Sequence, residues 1–142
     1  AKSDTPPLPA VLNAEGIFAL RQIVSQIYFG QDVEEYLLGL VHATRNHPDI
    51  LLGLSPRAGL SIKQAAQAWA ALSGTDHVRP DDIQAVLIPC SAHRLVLHPE
   101  ADLRRKTAET ILQSILAETP VNGSWAGLAT SAAGALGAGG RR

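Results

Sequence analysis

Apolar residues recur at intervals of three and four along most of the chain, which is the spacing that places them on one face of an α-helix. The first predicted helix begins after Asn13, which can cap it, and is expected to end at Gly30 in a left-handed conformation. The residues that recur on it at this spacing and form one apolar stripe are Ile17, Leu20, Ile23, Val24 and Ile27. The second helix begins near Asp32 and ends at His47, because a residue that precedes proline is disfavoured in a helix. Its expected inward face consists of Val33, Leu37, Leu40, Val41 and Thr44.

A third helix is predicted after a short apolar connection at residues 49–54. Ser55 is a good N-cap, Pro56 suits the first turn, and Gly74 is expected to end the helix. Its expected apolar face consists of Leu60, Ala65, Ala66, Trp69, Ala70 and Leu72. Gly59 in the second turn costs about 1 kcal/mol relative to alanine, so packing must offset it.

Two more helices are predicted in the second half of the chain. The fourth opens at Pro80, after a poor cap at Arg79, and is expected to break at Pro89. Alternating apolar residues at 94–97 then suit a small strand. Thr107 is expected to cap the last helix, which ends before a proline at 120. Its expected inward residues are Ile111, Leu112, Ile115 and Leu116.

These elements predict an all-α fold, a compact bundle of about five helices with at most a small two-strand appendage, over residues 11–120. Residues 1–10 contain three prolines and no periodicity, so we expect a linker. Residues 121–142 are rich in glycine and alanine and carry no charge before the terminal arginines, so we expect a disordered tail.

The composition agrees with a helical domain and excludes some functions. A hydrophobic content of 46% with only 4% aromatic residues indicates a core of leucine, isoleucine, valine and alanine. A net charge of −1 argues against a general nucleic-acid or membrane-surface binder, and the third helix carries only two cations. The single cysteine excludes an internal disulfide, and we expect a cytoplasmic location.

Arg57 is the most informative residue for function. It falls in the first turn of the third helix, where the helix dipole disfavours a cation unless an anion lies in front of it. Its guanidinium suits a carboxylate or a phosphate. A local salt bridge, for instance to Asp49 or to an acid on a neighbouring helix, and an external anion both satisfy this requirement, and the residues alone do not decide between them.

Other combinations of polar residues predict no chemistry. Cys90, His93 and His98 lack a second cysteine pair, so we predict no metal site. Tyr36 is expected to fill the core. Ser55 has no recognisable histidine and acid partners, so nucleophilic catalysis is not supported.

Four segments in order resemble the C-terminal lid of MoxR-type AAA+ ATPases over about residues 10–119. They are Ala-Thr-Arg-Asn-His-Pro-Asp at 43–49, Leu-Gly-Leu-Ser-Pro-Arg-Ala at 52–58, Gly-Thr-Asp-His-Val-Arg-Pro-Asp-Asp at 74–82, and Ala-His-Arg-Leu at 92–95. Arg79 stands where such lids usually carry threonine or serine, and Gly59 stands where a helix former is more usual. Neither departure affects Arg57.

The resemblance implies that Arg57 is the sensor 2 residue, which reaches the γ-phosphate of ATP held by a separate α/β core. It also implies that ATP and magnesium bind mainly to that missing core, and that residues 1–10 follow it. Ser55, Arg45, His93 and Arg94 are possible contacts to the core or to a neighbouring subunit, although a solvated surface explains them equally well.

The sequence contains no Gly-x-x-x-x-Gly-Lys-Ser/Thr loop and no apolar strand that ends in paired acids. We therefore expect no enzymatic activity from this chain alone, and an ATPase as its parent.

The expected partners are the AAA+ core, neighbouring subunits of a ring and an unknown client that the parent remodels or matures as a chaperone would. No nucleic acid or membrane partner is expected. The alternative is a free-standing helical interaction module without a nucleotide role.

Overall fold

The computed structural model describes residues 9–121, apart from the side chain of Asp102, as helices joined by short connections and one small sheet. The helices are α1 (Ala14–Gln26), α2 (Gln31–Asn46), α3 (Pro56–Leu72), α4 (Pro80–Ser91), α5 (Pro99–Leu103) and α6 (Ala108–Glu118), with a 3-10 turn at Ala92–Arg94. The strands are β1 (Ile50–Leu52) and β2 (Val96–Leu97). The predicted all-α class with a small two-strand appendage is confirmed. The linker predicted for residues 1–10 and the tail predicted for 121–142 fall almost entirely outside the described residues.

The core lies between α2, α3, α4 and α6. All five residues predicted to face inward on α2 are buried, and Tyr36 is fully buried beside them, as expected. On α6, Thr107 caps the helix by accepting a hydrogen bond from the backbone N–H of Thr110 at 3.3 Å. Three of its four predicted inward residues are buried and Leu116 is partly buried. The pattern of apolar residues therefore predicted these two helices and their faces correctly.

The two strands form an antiparallel pair, in which Ile50 lies opposite Leu97 and Leu52 opposite Val96. The pairing is irregular between Ile50 and Leu52, and β1 buries only Ile50. The predicted strand at 94–97 is thus confirmed in its second half. Its partner comes from the segment at 49–54, which the sequence predicts only as an apolar connection.

The prediction for the end of α1 is wrong. The helix ends at Gln26, and Gly30 has a φ of −68° and serves as the N-cap of α2 instead of a left-handed terminator. Backbone hydrogen bonds to a distant loop explain the early end. The N–H of Tyr28 donates to the carbonyl of Asp76, and the N–H of Val78 donates to the carbonyl of Tyr28, both at 2.9 Å. These bonds hold the chain extended between the two helices.

The apolar stripe predicted on α1 is present, but it lies at the surface of the domain. No residue of α1 is buried, and Ile17, Leu20 and Ile23 are each about half exposed. α1 packs mainly on α3, at the edge of the domain, so only one side of the stripe is covered. Periodicity identifies an apolar face, but it does not tell whether the same chain covers that face.

The face predicted for α3 is only partly correct. Its buried residues are Ala58, Ile62, Ala66 and Ala70, whereas Leu60, Trp69 and Leu72 are exposed. Residues spaced by four form the inward row because α3 packs closely along α4, and alanine allows that approach. The predicted end of α3 at Gly74 is confirmed by its φ of +76°.

The helix α4 does not break at Pro89 but continues to Ser91. The missing N–H of Pro89 leaves the carbonyl of Ala85 without its helical partner. Ala85 is exposed, so water can supply the hydrogen bond and the helix tolerates the proline. At the other end of α4, a carboxylate oxygen of the buried Asp82 accepts a hydrogen bond from the N–H of Arg79 at 2.8 Å, which compensates for the poor cap.

Candidate functional site

The connection between β1 and α3 is held tightly against the last turn of α2. A Cβ atom on Gly53 would lie 2.8 Å from both the Cα and the backbone nitrogen of Arg45, so only glycine allows this approach. The N–H of Leu54 donates to the hydroxyl oxygen of Thr44 at 3.1 Å. The Nε of Arg45 donates to the carbonyl oxygen of Leu54 at 2.8 Å. The start of α3 is therefore fixed relative to α2.

The first turn of α3 is capped as the sequence predicted. The hydroxyl oxygen of Ser55 accepts a hydrogen bond from the N–H of Ala58 at 3.2 Å, and Pro56 is the first helical residue. Arg57 follows in the first turn, which contains no acidic residue. Its side chain is exposed, and within residues 9–121 its guanidinium forms no ion pair and donates no hydrogen bond.

Asp49, the internal acid considered for Arg57, has other partners. It is buried, and its carboxylate accepts hydrogen bonds from Arg104 at 2.6 Å and from Lys106 at 2.5 Å. The hydrogen bond from Lys106 and the positive charges around the carboxylate lower the pKa of Asp49, against the opposing effect of desolvation. Of the alternatives considered for Arg57, a salt bridge to Asp49 is therefore absent from the structure.

Three of the four predicted contact residues line one open cleft of about 530 Å³, which we call the arginine cleft. Its lining consists of Arg45, Ser55 and Arg94 together with Leu51, Leu52, Gly53, Leu54 and Pro56. Among the described residues, no acidic side chain lines it. The arginines come from α2 and from the 3-10 turn, which β1 and β2 bring together.

The remaining predicted residues lie outside this lining. His93 is exposed, and its Nε2 accepts a hydrogen bond from the Nε of Arg94 at 3.3 Å. Arg57 does not line the arginine cleft, although it directly follows Pro56, which does.

Sequence reasoning missed the contribution of the 50–54 segment to this site. Leu51 and Leu52 are 59% and 61% exposed, so they form an apolar surface beside the arginines instead of joining the core. An apolar run of this length is equally consistent with burial, and the requirement for glycine at position 53 depends on a contact with another element.

The other polar residues considered from the sequence are not brought together. Within residues 9–121, no group of three or more histidine, cysteine or acidic side chains is placed to hold a metal ion, and this includes Cys90, His93 and His98. The buried hydroxyl of Tyr36 accepts a hydrogen bond from the Nε2 of Gln84 at 3.2 Å, a structural role.

Comparison with known proteins identifies the family. The AAA lid domain family matches residues 42–115, which include the start of α3 and the lining of the arginine cleft. The chain belongs to the AAA lid domain family. This lid shares 37% identity over 114 residues with the uncharacterized protein YeaC of Bacillus subtilis, covering 80% of the chain and 36% of that protein.

Other relatives bear the MoxR name. Chaperone MoxR1 of Mycobacterium tuberculosis is 29% identical over 122 residues, covering 79% of the lid and 32% of that protein. Protein MoxR of Paracoccus denitrificans is 39% identical over 70 residues, covering 49% of the lid and 21% of that protein. The predicted resemblance to the lid of MoxR-type AAA+ ATPases is confirmed.

A solved structure shows the same architecture. The crystal structure of a candidate ATPase from Cytophaga hutchinsonii matches with a TM-score of 0.71 and 26% identity, over 75% of the lid and 35% of that chain. The lid spans about a third of the length of the first relatives that it matches. None of the helices in the described part of the lid is long and apolar enough to cross a membrane.

Proposed function

We propose that this lid senses the nucleotide of an ATPase core in the same polypeptide, and that Arg57 is the sensing residue. The observation that carries the proposal is the position of Arg57: exposed, in the first turn of a rigidly held helix, without an ion-pair partner among residues 9–121. A cation at this end of a helix is disfavoured by the dipole, and a phosphate in front of it would remove that cost.

The rigid attachment of α3 matters as much as the charge. The connection before Ser55 is hydrogen-bonded to α2. A displacement of Arg57 would therefore move α3 together with α2, and not only the loop before α3. If Arg57 contacts the γ-phosphate only before hydrolysis, the core-to-lid angle differs between ATP and ADP states. The change in the population of the two core-to-lid angles is limited by the energy of the contact between Arg57 and the γ-phosphate. A ligand shifts a conformational equilibrium only by the difference between its affinities for the two conformations.

The residues present fit ATP in part and magnesium not at all. Arg57 would hold a phosphate oxygen of ATP, which supplies the charge that changes on hydrolysis. The sequence contains no phosphate-binding loop and no apolar strand that ends in paired acids, so we assign magnesium and the hydrolytic chemistry to the core.

The whole protein is proposed to be a MoxR-type AAA+ ATPase that assembles with neighbouring subunits into a ring and remodels or matures a client protein in the manner of a chaperone. The name of the Mycobacterium relative, Chaperone MoxR1, supports this part of the proposal. The lid itself would be a non-catalytic part of that machine.

Replacement of Arg57 in the parent protein tests the sensing role. A hydrogen bond to a charged group contributes about 1.5–3 kcal/mol, which corresponds to about a 10- to 150-fold change in rate. We expect Arg57→Ala to lower ATP turnover by a factor in that range and Arg57→Lys to lower it less. Arg105→Ala removes another exposed arginine and should leave turnover unchanged. Unchanged turnover with Arg57→Ala would refute the sensing role and favour a helical interaction module.

A further inference from the structure

The arginine cleft has two arginines and an apolar lining, and the proposed role of Arg57 accounts for neither of them. Arg45 and Arg94 project from different elements into one space of about 530 Å³. Arg45 uses its Nε for the carbonyl of Leu54, and Arg94 uses its Nε for the adjacent His93. Within residues 9–121 neither guanidinium forms an ion pair, so two positive charges share a cleft that contains no acid. Both arginines are exposed, so an anion that enters the cleft would find a guanidinium available on either side.

The cleft also has an apolar part. Leu51 and Leu52 are more than half exposed and line it together with Pro56. A free phosphate or the phosphates of a nucleotide would pair with the arginines but would leave the leucines in water. A protein segment with an acidic side chain beside an apolar one would satisfy both parts, because arginine pairs well with carboxylates and the apolar side chain would cover the leucines.

We infer that the arginine cleft binds an acidic segment of the ATPase core in the same polypeptide, with a carboxylate between Arg45 and Arg94. The assignment to the core rests on the proposed function. Ser55 and Pro56 line the cleft and Arg57 follows them directly. A core that presents its nucleotide to Arg57 therefore also lies against the cleft.

Zero-length cross-linking in the full-length parent protein tests this inference. Arg94→Lys keeps the positive charge and introduces an amine, which a water-soluble carbodiimide joins to a carboxylate only when the two are in contact. The substitution should not disturb the fold, because Arg94 is exposed and its only side-chain hydrogen bond within residues 9–121 is to His93. We expect a cross-link from position 94 to an aspartate or glutamate of the core, identified by mass spectrometry of peptides.

Arg105→Lys is the matched control, because Arg105 is also exposed but lies between α5 and α6 and does not line the cleft. The cross-link from position 94 should exceed that from position 105 several-fold, and the product should keep the mass of one subunit on a denaturing gel. A product with the mass of two subunits would overturn the inference in favour of a neighbouring subunit. A yield no higher than that of the control would overturn it as well.

The same protein separates this inference from the proposed function. Cross-linking requires no turnover, whereas the sensing role of Arg57 is measured by hydrolysis. A core cross-link together with unchanged turnover of Arg57→Ala would refute sensing and support the interface. Reduced turnover of Arg57→Ala without a core cross-link would support the sensing role of Arg57 and refute the binding of the core at the arginine cleft.

Discussion

The close approach of Gly53 to α2 allows a sharp test of how the start of α3 is positioned. In Gly53→Ala, the new Cβ would lie 2.8 Å from the Cα and the nitrogen of Arg45 and 2.9 Å from its Cγ. Two of these three atoms belong to the backbone of a helix, so they cannot move aside as a flexible side chain would. The connection must therefore move away from α2, and the two hydrogen bonds that hold Leu54 would lengthen.

The loss of stability in Gly53→Ala can be estimated from these contacts. Overpacking of a well-filled site costs about 1–3 kcal/mol. Weakening of two hydrogen bonds adds about 1–2 kcal/mol. Replacing glycine by alanine also lowers the conformational entropy of the unfolded chain, which stabilises the folded state by about 0.4–1 kcal/mol. We therefore expect the free energy of unfolding to fall by about 1–5 kcal/mol.

Gly59→Ala is the matched control, six residues further along. A Cβ at that position would meet only the Cγ2 of Val41 at 3.7 Å, an ordinary contact. The substitution also removes a poor helix former from α3, so it should raise the free energy of unfolding by about 0.8–1 kcal/mol. The two changes are chemically identical and are expected to have opposite signs.

Urea denaturation of the lid, followed by far-UV circular dichroism, measures both effects through the midpoint at an unchanged slope. A Gly53→Ala variant within about 0.5 kcal/mol of the parent would show that the connection is not held tightly against α2. A Gly59→Ala variant that is also strongly destabilised would contradict the distinction between the two glycines.

Substitutions at three other positions test individual contacts. Asp49→Asn should lower the denaturation midpoint at neutral pH. The pKa of Asp49 in the folded protein lies below its ordinary value of 3.8, so the ionised carboxylate stabilises the fold above pH 3.8 and this stabilisation is lost as the pH falls below 3.8. The Asp49→Asn variant should therefore lose less stability than the parent on acidification below pH 3.8. Denaturation measured as a function of pH would show the difference. Tyr36→Phe should cost about 1 kcal/mol in urea denaturation through the lost hydrogen bond from Gln84, and an unchanged midpoint would argue against that bond. Ser55→Ala should cost about 1 kcal/mol through loss of the cap on the N–H of Ala58, whereas Ser55→Asp should largely retain it, both read from the same denaturation midpoint.

Several parts of the fold were predictable because they depend on local chemistry. Ser55 and Thr107 cap their helices through hydrogen bonds that span three residues, and Gly74 ends α3 by its own backbone freedom. α2 could be assigned with its inward face because it is covered on that side by three other helices. The resemblance to MoxR-type lids added the expected role of Arg57, which remains a prediction.

The predictions that were wrong concerned contacts between distant parts of the chain. The early end of α1 depends on bonds between Tyr28 and the 76–78 loop. The exposure of its apolar stripe depends on what packs against it, which periodicity cannot tell. The helix tolerates Pro89 because the carbonyl that loses its partner belongs to an exposed residue, Ala85, and exposure is a property of the folded domain.

The sequence by itself determined the helical class, most helix ends and the placement of Arg57 in a first turn, because each depends on residues within a few positions of one another. Only the tertiary structure decided which cations Asp49 binds, since its two partners lie 55 and 57 residues away. It likewise brought Arg45 and Arg94 to one cleft through the pairing of β1 with β2. Such contacts depend on how elements are arranged in space, which the local preferences of the residues do not specify.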